Sequence, residues 1–151
     1  ASAIPTSPTP PYERQPTRAG PDPMKVIDSS VVVDLLINAL DFDQVGDEVL
    51  AAPHLLDSEV INTLRNLVRS GALTPKQGET AFAGFLGLHL DRYPAQDLRP
   101  RIWELRHNLS AYDATYVALA ESLGATALLT TDARLANAPG VTCPVELLRR
   151  R

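Results

Sequence analysis

Short apolar runs alternate with helix-patterned segments from Met24 onward, and this alternation constrains the chain more than any other feature. Strands joined through helices pair in parallel and bury both faces of their sheet, so the pattern indicates an α/β sheet with helical crossovers. Lys25 to Asp28 reads as a short buried strand. Ser29 or Ser30 can cap a helix through Val31 to Ile37, although three β-branched residues leave its boundary to tertiary packing. Asp43 to Leu50 is a second, short helix candidate, and Ala51 to Leu56 a strand that tolerates Pro53 near its start. From Ser58 to Ser70, Val60, Ile61, Leu64, Leu67 and Val68 recur at helical spacing until Gly71.

Thr74 and Pro75 open the next helix, with Ala81, Phe82, Phe85 and Leu86 on one face and an end near Gly87. Leu88 to Tyr93 follows as a strand, then Pro100 to Asn108 as a helix whose Ile102, Trp103 and Leu105 should face the core. The clearest helix runs from Ala111 to Leu123, between Ser110 as cap and Gly124 as stop. Thr126 to Thr130 is a strand, Ala133 to Asn137 a helical turn, and Val141 to Leu148 an edge strand, since Pro144 cannot serve in a central one.

At 151 residues the chain suits one domain with a real core. Its formal charge of -4 argues against a nonspecific nucleic-acid coating protein, though not against an enzyme acting on nucleic acid. Cys143 is the lone cysteine, which excludes an internal disulfide and suits a reducing compartment. No run approaches the ~18 apolar residues of a membrane span. The expected location is cytoplasmic. Residues 1–23 hold seven of the 13 prolines and almost nothing to bury, so they read as a disordered arm preceding a domain over residues 24–151. Met24 suggests a natural start, with the arm an expression remnant or upstream extension. A sharper alternative folds Arg14 or Arg18 back toward the domain.

Four acids carry the functional argument. Asp28 in VIDSS, Glu59 in LLDSEVINTLR, Asp113 in SAYDATYVALAE and Asp132 in ALLTTDARLA each end a strand-like run or lie in the first turn of a helical pattern. In an open parallel sheet those places share one edge. Each acid also has a local explanation: a helix cap for Asp28 and Asp132, the helix dipole for Glu59, and a capping box with Ser110 for Asp113. What favours a site is that all four contexts converge. Crowded carboxylates repel by about 4 kcal/mol per pair at ~4 Å and an effective dielectric of 20, so such an edge calls for a hard cation or bound protons. Magnesium suits oxygen ligands, which points to metal-assisted chemistry on a phosphorylated substrate. Asp34, Asp41, Asp43, Asp47, Asp91, Asp97 and Glu104 lack this convergence and read mostly as surface charges. Asp57 is either a partner of the site or a helix cap.

In order and context, VIDSS, SEVINTLR, SAYDATYVALAE and LLTTDARL resemble the PIN domain and, within it, the VapC-type toxins of bacterial toxin-antitoxin pairs. The likeness runs from Met24 to about Leu148. It implies a three-layer α/β/α sandwich around a central, mainly parallel sheet, and a metal-dependent endoribonuclease. It assigns Asp28, Glu59, Asp113 and Asp132 as catalytic carboxylates holding one or two Mg²⁺ or Mn²⁺ ions. Ser29 and Thr131 take supporting positions, while Asn62 and Arg65 lie near the RNA groove. It also implies a homodimer and a cognate antitoxin. Arg65 and Arg69, four apart, can hold RNA phosphates, although a solvated helix face explains Arg69 as well. His54, His89 and His107 have no metal-type spacing. A phospho-acceptor receiver is the competing class, but it needs a lysine near a late strand and neither Lys25 nor Lys76 is there. A PIN fold that binds without cleaving is the other alternative.

Overall fold

The computed structural model describes residues 22–151. The expected arm lies outside the described residues up to position 21. Five strands form one parallel sheet in the order β3-β2-β1-β4-β5, comprising β1 (Met24–Ile27), β2 (Val49–Pro53), β3 (Asp91–Tyr93), β4 (Ala127–Thr130) and β5 (Val145–Leu147). Six α-helices join them: α1 (Ser29–Leu36), α2 (Leu55–Arg69), α3 (Pro75–Gly87), α4 (Arg99–Glu104), α5 (Ala111–Leu123) and α6 (Ala133–Ala136). Helices α1, α2 and α3 pack on one another, while α5 lies against β1, β2 and β4 with α4 beside it. The result is the expected three-layer α/β/α sandwich. Among the described residues no helix is long and apolar enough to cross a membrane.

The core explains where packing overrules local preference. Val31, Val32 and Val33, poor helix formers, are buried on α1 because the helix is pressed into the core on most of its surface. Helix α5 is buried from Ala114 through Ala120 and closes with Gly124 at φ 58°, a left-handed stop that favours glycine. Gly78 allows α3 to approach α2, since a Cβ there would lie 2.5 Å from Val68 Cγ2.

Several expectations need correction. The helix expected over Asp43 to Leu50 is only a 3₁₀ turn at Phe42–Gln44, followed by Gly46 at φ 83° and then β2 from Val49. Strand β2 ends at Pro53, so Leu56 belongs to α2, which starts three residues before the expected Ser58. Strands β3 and β5 are three-residue pieces of the longer runs expected, and β5 begins after Pro144 at the edge of the sheet. Phe82 and Leu86 on α3 are exposed, as is Trp103 on α4, whose ring stacks under Arg106 at 4.3 Å instead of entering the core. Asp34 is not a surface charge. Its side chain is 1% exposed and accepts Arg150 Nε at 2.7 Å.

Candidate active site

The strand order reverses at β1, with β2 and β3 on one side and β4 and β5 on the other. Connections diverge at such a point, and a crevice opens beyond the carboxyl ends of the two central strands. Asp28 directly follows β1, Asp132 follows β4 by two residues, Glu59 lies on the helix after β2, and Asp113 sits in the first turn of α5.

Asp28 is both a cap and a buried anion, 8% exposed. Its Oδ1 accepts the Val31 N–H at 3.0 Å and the Ser30 hydroxyl at 2.6 Å, and the Thr130 hydroxyl also bonds to it. Burial still holds its carboxyl above the usual carboxylate range, and the charge of Asp113 adds to the shift. Thr131 Oγ1 donates to Ser30 Oγ at 2.8 Å, so a relay of hydroxyls runs from Thr131 through Ser30 to Asp28. Asp132 caps α6 by accepting the Arg134 N–H at 2.9 Å, while its own N–H donates to Thr130 Oγ1.

Glu59 stands in the second turn of α2 because that helix begins at Leu55; the first-turn acid is Asp57. The dipole explanation thus passes to Asp57, which is gripped on both oxygens by Arg92 at 2.8 Å. That fork-shaped pair joins α2 to β3 and holds the Asp57 carboxyl below its ordinary range. Glu59 Oε1 instead accepts the Tyr116 hydroxyl at 2.6 Å. Burial raises the Glu59 carboxyl despite that bond, with Asp113 and Asp28 contributing repulsion. Asp113 is raised by burial first and by Asp132 second. Of the capping box expected at α5, the Ser110 hydroxyl receives the Asp113 N–H at 3.2 Å.

The charges of these acids therefore reach one another: Asp113 acts on Asp28, both act on Glu59, and Asp132 acts on Asp113. Among the described residues, however, no three His, Cys, Asp or Glu side chains stand close enough to form a finished metal cage. An all-carboxylate edge of this kind fits magnesium, which takes one or two carboxylates and keeps several waters. Zinc sites, by contrast, usually draw sulfur or nitrogen donors, and none is among the four acids.

Asn62 and Arg65 are exposed on α2. Arg65, Arg69, Ile61 and Phe82 line an apolar groove of about 410 Å³ between α2 and α3. Ser29 reaches the Tyr116 phenol, whereas Ser30 holds Asp28. Ser30 and Tyr116 are the residues that sequence reasoning passed over. Both carried a signal: Ser30 is two residues from Asp28, and Tyr116 is one helical turn from Asp113, where a buried phenol requires a partner.

The PIN domain family model matches residues 25–141. Ribonuclease VapC9 of Mycobacterium tuberculosis is 42% identical over 128 residues, which covers 84% of this chain and all of that protein. Two solved structures share the fold. VapBC2 from Rickettsia felis, bound to a DNA fragment from its promoter, has a TM-score of 0.61 at 14% identity and covers 82% of this chain and 98% of that one. A toxin-antitoxin complex from Klebsiella pneumoniae has a TM-score of 0.51 at 21% identity and covers 82% and 99%. This chain belongs to the PIN domain family, in its VapC branch.

Proposed function

We propose that this chain is a metal-dependent endoribonuclease that hydrolyses RNA phosphodiester bonds as the toxin of a toxin-antitoxin pair. The observation that supports this reading is the electrostatic coupling at the switch point of the sheet, where Asp113 and Asp28 act on Glu59, Asp113 acts on Asp28, and Asp132 acts on Asp113. The likeness to a relative named as a ribonuclease supports it. Asp28, Glu59, Asp113 and Asp132 would hold Mg²⁺, or Mn²⁺ in its place. When bound, such an ion polarises the scissile phosphate and lowers the pKa of a coordinated water.

The protein's own part is to hold the acids ready. The Thr131 and Ser30 hydroxyls fix the Asp28 carboxylate, and Tyr116 fixes that of Glu59. No covalent nucleophile is required. Asn62 and Arg65 would meet RNA along α2. The structure of a toxin-antitoxin complex with this fold supports a cognate antitoxin as partner. A homodimer in the cytoplasm completes the proposal.

The test is digestion of total RNA with and without EDTA, comparing the protein with Asp28→Asn and sequencing the new ends. Loss of cleavage is expected both in EDTA and in the Asp28→Asn variant. Equal cleavage by the variant overturns the assignment. Light scattering should show a dimer, and a fully active monomer would overturn that part.

A further inference from the structure

The segment after β5 carries three consecutive arginines, and each has a different environment. Strand β5 pairs in parallel with β4, Leu147 against Thr130, and the Leu148 N–H closes on Thr130 O at 2.8 Å. Arg149 thus leaves the sheet at the same end as Thr131 and Asp132. The chain around it is held firmly. Gln44 Nε2 donates to Arg149 O at 3.3 Å, Arg150 Nε donates to the buried Asp34 at 2.7 Å, and the Arg151 N–H donates to Ala39 O at 3.0 Å. The Arg151 guanidinium pairs with Asp41.

Arg149 alone of the three has no side-chain partner among the described residues. Its backbone is pinned on both sides while its guanidinium is exposed. With Thr131, Leu147, Leu148 and Arg150 it lines an open cavity of about 450 Å³. Thr131 forms one wall of that cavity and is also the first hydroxyl of the relay to Asp28. The cavity and the Asp28 carboxylate are thus linked through Thr131 and Ser30.

We propose that Arg149 binds a backbone phosphate of the RNA strand, next to the one that is cut. This rests on the ribonuclease reading. A polyanion entering an edge with four carboxylates meets repulsion wherever its flanking phosphates are not matched by cations. A guanidinium is the side chain suited to that task, because its planar fork bonds two phosphate oxygens at once. Arg150 cannot serve, since its charge is committed to Asp34. With the backbone already anchored, binding costs only the rotamer freedom of one side chain. Phosphate contacts of this kind position a strand without reading its sequence.

The experiment measures binding of a short single-stranded RNA by fluorescence anisotropy, in Mg²⁺ and in an Asp28→Asn background that prevents cleavage, over a range of salt. Arg149→Ala should weaken binding about fivefold and reduce the slope of log K against log salt by about 0.7, the value for one phosphate contact on a single strand. Arg149→Lys should keep the slope and recover part of the affinity. The melting temperature should not change, because among the described residues the side chain makes no hydrogen bond or ion pair. An unchanged affinity and slope in Arg149→Ala overturns the proposal. Cleavage assays with Asp28 intact separate this result from the ribonuclease reading. RNA binding that depends on Arg149 without any cleavage sinks the nuclease and leaves the phosphate site standing. Cleavage at unchanged KM in Arg149→Ala sinks only the phosphate site, and absence of RNA binding sinks both.

Discussion

Tyr116 donates its phenolic hydroxyl to Glu59 Oε1 at 2.6 Å, joining α5 to α2 beneath the acidic edge. The bond favours the ionised form of Glu59 and opposes the burial that raises its carboxyl. Tyr116→Phe removes the donor while keeping the ring, so the Glu59 carboxyl should rise further and protons should compete better with a metal ion. We expect metal affinity to fall about 10-fold, within the range for groups that orient metal ligands. The acidic limb of the pH profile for cleavage should move to higher pH. Isothermal titration with Mn²⁺ at two pH values checks it, and an unmoved limb would assign Tyr116 to packing alone.

Crowding of the acids sets a pH dependence for the metal-free fold. Asp28, Glu59 and Asp113 all have raised carboxyls, with burial as the first cause of each. In the unfolded chain they ionise at ordinary values of 3.8 and 4.5. Between those values and the raised ones, the folded protein holds more protons than the unfolded, so stability falls as pH rises through the window. Asp57 acts in the opposite sense: its contribution is present above 3.8 and is lost as pH falls through its lowered folded value. Metal-free protein should therefore melt highest in mild acid and lower at neutral pH, with Mg²⁺ restoring the neutral value. Asp113→Asn should raise the neutral, metal-free melting temperature by roughly 3 °C while abolishing cleavage. Calorimetry in EDTA decides the first point, and a melting temperature that climbs steadily from mild acid to neutral would contradict it.

Asp57 provides the contrast, an acid two residues from Glu59 with a structural partner. Its pair with Arg92 is bidentate but partly exposed, with the two side chains 38% and 31% accessible. The geometry is good and the screening substantial, so Asp57→Asn should cost at most about 1 kcal/mol. Cleavage should remain within about twofold of the parent, in contrast to variants of the four acids. Chemical denaturation and a cleavage assay on the same preparation test both halves.

What the sequence made legible were the features with short-range causes. Ser110 and Gly124 bracket α5 as expected, because a hydroxyl cap and a left-handed stop act within one turn. The strand ends that carry Asp28 and Asp132 were readable from apolar runs of a few residues. That the acids share the carboxyl-end side of the sheet followed from parallel topology and not from any single motif. Features set by distant contacts were missed. Gly46 and the pairing of Met24 with Val49 turn a helical pattern into β2. Trp103 is 67% exposed and stacks with Arg106, while Leu105 two residues on is buried, a choice of face that hydropathy alone does not make. Arg149 and Arg150 read alike in sequence, and only the buried Asp34 distinguishes them.

That buried carboxylate is the source of the last prediction. Asp34 is 1% exposed and Arg150 is 64% exposed, so the two ends of one ion pair face very different solvents. Removing the arginine leaves a buried anion without its cation, whereas removing the anion leaves a cation that water can solvate. Arg150→Ala should therefore cost more than Asp34→Asn: about 2 kcal/mol, below the full range for buried pairs because the arginine is largely wet, against under about 1 kcal/mol. The double variant should recover most of the loss from Arg150→Ala. Arg150 also pins the segment that carries Arg149, so Arg150→Ala should weaken RNA binding with little change in salt slope, the reverse of the pattern for Arg149→Ala. Urea denaturation of the single and double variants, with anisotropy on the same proteins, tests both claims. Equal costs for the two single variants would show that the pair is solvated as a unit and that the carboxylate does not depend on its partner.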